Sequence, residues 1–485
     1  MMLVNLFREP RQCVALLAVC LLFSGPAVCA TPNATQKPVN VLFIAIDDLR
    51  PELGVYGKEY MKTPAIDQLA SEGVTFMNAY SNVPVCGASR ASLMSGLRPS
   101  KSRFLGVDAK IDKDAPGIPT LPEHFKSAGY TTISLGKIIH GSKDALQSWS
   151  ETPWHPRNES IRGYDSFRNY LVPENIALDL AEDKQPPPYE AANVTDDAYF
   201  DGRIALRAID YLQSFARQDK PFFLAVGFVK PHLPFNAPKT YWDQYPADSI
   251  SLTDNPLFPA SAPKAARHSW GELRKYAGVP DKHDPVPDDV ARQLIHGYYA
   301  ATSYADAQVG RVLAELTRLG LADNTIVVVW GDHGWSLGEH GLWAKHSTFN
   351  VANQIPLIMR VPGYSSAGLA HGPVESVDIY PTLVELASLP LPRHLQGSSL
   401  KPMLEDTDAA VNQAVFPRWK NADSIRTDRF YYTEWRNKQG KIMARMLYDH
   451  QSDPEESNNV AEQPEYETTV KELSLRLAAH LETLN

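Results

Sequence analysis

The sequence predicts an α/β fold: a mostly parallel central sheet with helices on both faces, followed by a small C-terminal α+β subdomain. Three observations predict it. Five short apolar runs, at 41–46, 131–135, 222–226, 326–330 and 357–361, have the length and composition of strands buried on both faces. Helical apolar spacing fills the intervals between them, and strands that alternate with helices build a parallel sheet. Two of the runs lead into acidic residues, one directly and one after a single glycine, where open α/β sheets place their sites, beyond the carboxyl ends of strands.

The first element in chain order is a leader. Arg8 and Arg11 precede an apolar run at 14–23, Gly25-Pro26 breaks it, and Val28-Cys29-Ala30 is a small-residue cleavage site. Residues 1–30 are therefore expected to be a signal peptide that exports the protein to the periplasm or medium, or to the lysosome in an animal. The run is too short to stay in a bilayer as an anchor, and no later segment is long enough to span a membrane. The catalytic domain is expected at 31–405. It opens with strand 41–46 and helix 64–72. Helix 121–128 leads into strand 131–135, helix 197–216 into strand 222–226, and helix 303–319 into strand 326–330. Pro356 starts the strand at 357–361, read as parallel like the others, and helix 377–388 closes the domain. Beyond it the texture changes. Segments 424–436 and 441–449 read as strands joined by a hairpin at Asn437-Lys-Gln-Gly440, and an amphipathic helix at 466–481 ends a C-terminal subdomain at 406–485.

The 485 residues carry a net charge of −9. Loss of the leader, with Arg8, Arg11 and Glu9, leaves the remainder one unit more acidic. Such a chain does not suit nucleic acid or an anionic membrane surface. An anionic substrate would need positive charge gathered locally.

Cys13, Cys20 and Cys29 lie in the leader, so Cys86 is the remaining cysteine and has no internal disulfide partner. A lone cysteine is usually a buried small hydrophobe. Here Gly87-Ala88-Ser89-Arg90 and the helical stretch after it put Cys86 at a helix mouth, where free N–H groups favour anions. The acidic strand ends are Asp47-Asp48 and Asp332-His333. One Asp at a strand end could be a helix cap. Two adjacent carboxylates and an Asp-His pair are better explained by one hard divalent cation, Ca²⁺ before Mg²⁺, with His333 the softer ligand.

Together these residues resemble the type I, formylglycine-dependent sulfatase family. Cys86-Gly-Ala-Ser-Arg90 with Ser92-Leu-Met-Ser-Gly-Leu-Arg-Pro99 is similar to the family signature, with Ala88 where Pro is commoner. Ile44-Ala-Ile-Asp-Asp-Leu-Arg50, Ser134-Leu-Gly-Lys-Ile-Ile-His140, Lys230-Pro-His-Leu-Pro-Phe235, Gly331-Asp-His-Gly-Trp-Ser-Leu-Gly-Glu-His-Gly341 and the tail motif at 447–458 follow in family order. The Asp-His pair, Lys-Pro-His-x-Pro-Phe and Trp343-Ala-Lys345 resemble the iduronate-2-sulfatase branch. The resemblance implies an alkaline-phosphatase-like fold and a Ca²⁺ site of Asp47, Asp48, Asp332, His333 and residue 86. It implies that a formylglycine-generating enzyme oxidises Cys86. One hydroxyl of the hydrated aldehyde then attacks sulfur, and the other expels sulfate. It also implies that Arg90 holds the diol, Lys137 binds sulfate oxygens, His232 protonates the leaving alcohol and His140 assists the diol. Lys345 is read as a contact to a substrate carboxylate, and Trp335 and Trp343 as packing.

The expected function is hydrolysis of a sulfate ester on a sugar, a 2-O-sulfated uronate of a glycosaminoglycan or an algal polysaccharide. The alternatives are a phosphodiester or phosphonate monoester hydrolase on the same fold, and an inactive protein that binds sulfated glycans with Cys86 unoxidised.

Overall fold

A computed structural model describes residues 37–484 apart from 142, 158–165, 270, 282–283 and 365–366. The expected leader lies outside the described residues. Strand β1 (Asn40–Ile46) is buried along its whole length, and its side chains alternate between two apolar layers. Val41, Phe43 and Ala45 enter one layer, and Leu42, Ile44 and Ile46 the other. This two-sided burial produces the unbroken apolar run in the sequence. The central sheet continues with β2 (Val74–Phe76), β3 (Thr131–Gly136), β4 (Phe222–Phe228), β5 (Thr325–Gly331), β6 (Leu357–Arg360) and β7 (Gly368–Ala370), in the spatial order β7-β2-β6-β5-β1-β4-β3.

Four neighbours, β5, β1, β4 and β3, are parallel and nearly flush. Ile46 pairs with both Gly331 and Phe228, and Gly136 pairs with Gly227. The expectation that 357–361 is a parallel strand is corrected: β6 runs antiparallel to β5. A parallel return needs a long crossover, usually a helix. The connection here carries no long helix: it holds a ribbon of Ser336–Leu337 with Trp343–Ala344, the turns Glu339–Gly341 and Asn350–Asn353, and the short strand Gln354–Ile355.

Helices α1 (Pro64–Ser71), α2 (Cys86–Ser95), α3 (Leu121–Ser127), α4 (Phe200–Phe215), α5 (Asp288–Arg318) and α6 (Ile379–Leu386) cover both faces. Leu93, Phe125 and Leu383 of α2, α3 and α6 pack in one layer, and Ile66, Leu212 and Val312 of α1, α4 and α5 in the other. Helix α5 starts at 288 and spans 31 residues, well before the expected 303. Gly297 interrupts the apolar pattern of its first half. A Cβ there would lie 3.0 Å from Phe235 Cβ and from the Trp242 ring, so a larger residue would have to push these neighbours aside.

The C-terminal sheet is antiparallel and four-stranded: β8 (Arg418–Trp419), β9 (Ala422–Arg426), β10 (Phe430–Arg436) and β11 (Ile442–Asp449). The single strand expected at 424–436 is therefore two, reversed where the Thr427 N–H meets the Phe430 carbonyl at 2.9 Å. The hairpin at 437–440 is present, with Gly440 at φ +81°. Helix α7 (Glu467–Glu482) packs Leu473 and Leu477 against Ile425, Tyr432 and Leu447 of this sheet. Among the described residues, no helix is long and apolar enough to cross a membrane.

Candidate active site

The four parallel strands end on one side of the sheet, and the residues just past each end converge. β1 delivers Asp47 and Asp48, β5 delivers Asp332 and His333, β3 delivers Lys137, and β4 leads through Lys230 and Pro231 to His232. Cys86 is the first residue of α2, and Arg90 stands one turn later on the same helix face. Consecutive residues of a strand would point to opposite faces. Asp48 escapes that rule by taking a left-handed conformation, φ +59°. Its backbone is held on both sides: the N–H donates to Asp332 Oδ1 at 3.0 Å, and the carbonyl accepts from Tyr298 Oη at 2.8 Å.

Arg90 organises the floor and is wholly buried. Nε donates to Asp332 Oδ2 at 2.9 Å and Nη2 to Asp47 Oδ1 at 3.0 Å. Nη1 donates to the carbonyls of Lys137 and Ile138. Four of the five N–H groups of a guanidinium are thus committed. Arg90 ties the ends of β1, β3 and β5 together through its flat fork, a geometry that lysine lacks.

The carboxylates are balanced one by one. Asp47 also accepts from Lys137 Nζ. Burial raises the Asp47 pKa, but Lys137 and Arg90 outweigh it and hold the group well below the usual carboxylate range. Asp48 receives Lys345 Nζ on both oxygens at 2.9 Å. His333 Nδ1 faces the Gly334 carbonyl at 2.9 Å, which directs Nε2 inward, 3.2 Å from Cys86 Sγ and 3.3 Å from Asp48 Oδ1.

One ligand atom from each of Asp47, Asp48, Cys86 and His333 lies within 4.8 Å of the other three. Two buried carboxylates beside an imidazole fit a divalent cation. Asp332 stands at the edge of this group, its Oδ1 3.7 Å from His333 Nε2 and its carboxylate engaged by Arg90 and the Asp48 N–H.

A cavity of about 720 Å³ opens over the cluster, with Cys86, Lys137, His140, His232, Glu272 and Lys345 in its wall. His140 is exposed there, and its side chain has no hydrogen bond or ion pair among the described residues. His232 Nε2 lies 3.1 Å from Glu272 Oε1 and 3.9 Å from Asp48 Oδ2. Burial works against charge on His232, but the carboxylates of Asp48 and Glu272 outweigh it and push the pKa up to about 10. Its loop is fixed from below. Asp201 of α4 accepts the N–H groups of Val229 and Lys230, and Lys230 Nζ donates to the His232 carbonyl at 2.9 Å.

Two features of the site were not legible in the sequence: the partners of Lys345, and Glu272. Lys345 is 3% exposed and paired with Asp48 and, at 3.1 Å, with Glu272 Oε2. Lys345 lines the same cavity as Cys86, with its charge matched there by these two carboxylates. Glu272 was not foreseen. It lies in a segment with no apolar period, and the one available signal was that a buried lysine and a buried histidine need a counter-charge. Trp335 and Trp343 are packed, 1% and 5% exposed.

A sulfatase family model matches residues 39–389, and a model of the N-sulphoglucosamine sulphohydrolase C-terminal region matches 338–483. The iduronate 2-sulfatase of Mus musculus is 34% identical, aligned over 89% of this chain and 92% of its own. That of Homo sapiens is 37% identical over 74% of this chain and 71% of its own. The phosphonate monoester hydrolase of Silicibacter pomeroyi shares the fold, with a TM-score of 0.76 at 23% identity over 92% of this chain and 96% of that one. The architecture is thus the alkaline-phosphatase-like one that the motifs implied, and the chain belongs to the sulfatase family, close to the iduronate 2-sulfatases, as a sulfuric ester hydrolase.

Proposed function

We propose that this protein is an exported, formylglycine-dependent sulfatase that removes the sulfate ester from a sugar, with 2-O-sulfated uronates as its substrate class. The observation that carries the proposal is the setting of Cys86. It begins α2, is 1% exposed, and meets the cavity between Lys137 and Lys345, with His333 and Asp48 beside it. The identity to the iduronate 2-sulfatases over most of the chain supports the substrate class.

Asp47, Asp48, Asp332, His333 and residue 86 would hold the cation, Ca²⁺ before Mg²⁺. When bound, it supplies Lewis-acid neutralisation of sulfate charge. Formylglycine at residue 86, made by a formylglycine-generating enzyme, supplies as its hydrate one hydroxyl for attack and one for release. Lys137 and Lys345 bind sulfate oxygens from two sides, so both lysines serve the anionic end of the substrate. His232, held charged by Asp48 and Glu272, donates its proton to the leaving alcohol oxygen. Arg90 fixes Asp47 and Asp332 and holds the diol, and His140 assists the nucleophile from the open wall. In this reading 1–30 is the removed leader, 31–405 the catalytic domain and 406–485 the C-terminal subdomain.

The test is expression in a host that makes formylglycine, with mass spectrometry of the peptide containing residue 86. Rates are then compared on an aryl sulfate, an aryl phosphate diester and a 2-O-sulfated uronate. The proposal expects conversion of Cys86, turnover of both sulfates, and little turnover of the diester. An unconverted Cys86 in active enzyme, or a higher rate on the diester, overturns it.

A further inference from the structure

We infer that Lys275 recognises the carboxylate of the sugar ring that carries the sulfate, an assignment that rests on the uronate reading above. Glu272 directly precedes the one-turn 3₁₀ helix Leu273–Lys275. Residues three apart eclipse one another in that geometry. Glu272 turns into the cavity to reach His232 and Lys345, so Lys275 shares its face, and both side chains line the wall. Arg274, between them, is directed elsewhere and donates to the carbonyls of Pro280 and Asp284.

The charge balance of the wall singles Lys275 out. Lys137 is matched by Asp47, Lys345 by Asp48 and Glu272, and His232 by Glu272. Among the described lining residues, Glu272 is the one carboxylate, and both of its oxygens are taken. The Lys275 ammonium has no hydrogen bond or ion pair among the described residues, and the residue is exposed. A chain of net charge −9 therefore presents an unmatched cation to its own substrate cavity.

The sulfate end of the cavity is set by Cys86, Lys137 and Lys345. A uronate anchored there carries its second anion on the same ring, toward the rest of the wall. Phe167, 61% exposed yet lining the cavity, offers an apolar face for the ring itself. A lysine suits the carboxylate, because a point charge on a flexible stem makes no demand on its orientation.

The test compares kcat/KM on a 2-O-sulfated hexuronate disaccharide with its carboxyl-reduced counterpart, for the wild type, Lys275→Ala, Lys275→Arg and Lys275→Glu. Each ratio is internal to one preparation, so loss of active protein cancels. The wild type should prefer the uronate. Lys275→Ala should lose that preference by on the order of tenfold, between the effects of exposed and desolvated charge pairs. Lys275→Arg should keep most of it and Lys275→Glu should lose more than Ala. The wild-type preference should also weaken as salt rises. If the wild type prefers the uronate and Lys275→Ala keeps the same ratio, the assignment to Lys275 is wrong while the uronate reading stands. If the wild type shows no preference, the uronate reading fails and takes the carboxylate assignment with it.

Discussion

Replacing Arg90 with alanine should destabilise the protein by about 4 kcal/mol. The side chain is fully buried and binds two buried carboxylates, Asp332 at 2.9 Å and Asp47 at 3.0 Å. Each lost bond to a charged partner that stays buried costs about 1.5–3 kcal/mol, which sums to about 3–6 for the two. The two sites are not equal. Asp47 keeps Lys137 as a counter-charge, whereas Asp332 keeps the Asp48 N–H at 3.0 Å and His333 at 3.7 Å. The loss at Asp47 therefore falls at the low end and that at Asp332 at the high end, within the range of about 3–5 kcal/mol for removing one partner of a buried pair. Urea unfolding followed by tryptophan fluorescence, in calcium and again in chelator, measures the difference. Arg90→Lys restores the charge but not the fork, so it should recover less than half of the loss. An Arg90→Ala midpoint equal to that of the wild type, or complete recovery by lysine, would refute the claim that the guanidinium ties the strand ends together.

Three further outcomes follow from the structure. Gly87→Ala would place a Cβ 2.0 Å from the Val107 carbonyl oxygen, so α2 must shift, at a cost of about 1–3 kcal/mol read as a lower melting temperature. Gly106→Ala, where nothing lies within 4 Å, is the control that should melt as the wild type does. Glu272→Gln keeps the size but removes the charge shared by His232 and Lys345, and kcat/KM on an aryl sulfate should fall on the order of tenfold; an unchanged value would make both ion pairs idle. Exhaustive chelation should lower activity and melting temperature together, since an ion held by the folded state stabilises it, and Ca²⁺ should restore both. No change in either, with no metal found by elemental analysis, would remove the cation from Asp47, Asp48 and His333.

Much of the frame was legible because burial on both faces writes itself as an unbroken apolar run. β1 and β5 were found within a residue of their ends, and so were the carboxylates just past them. Direction was not legible. A run such as 357–360 is equally apolar whether parallel or antiparallel, and only the absence of a crossover helix decides. The first half of α5 was hidden by Gly297, whose close neighbours are distant in sequence. The reversal at 427–429 was hidden because Thr427-Asp428-Arg429 contains neither glycine nor proline. In the site, Cys86 and Arg90 were legible because both sit in one local motif. The partners of Lys345 were not, because a long side chain can end several ångströms from where spacing places its backbone, and Glu272 is joined to it only through space.

The flush pairing of β3, β4, β1 and β5 bears on how this enzyme ages. Asp47, Lys137 and Asp332 follow strands locked in one register, Gly136 with Gly227 and Ile46 with both Phe228 and Gly331. None of them can drift from the others unless that ladder opens. Amides of buried central strands exchange with solvent only through the largest openings of a molecule. This strand-end part of the site therefore shares its lifetime with the whole fold, whereas His232, Glu272 and Lys345 stand on the segments around it. Heat should separate Asp47, Lys137 and Asp332 only as fast as it unfolds the sheet, so that their arrangement is lost as a falling number of intact molecules rather than as a slow decline in each.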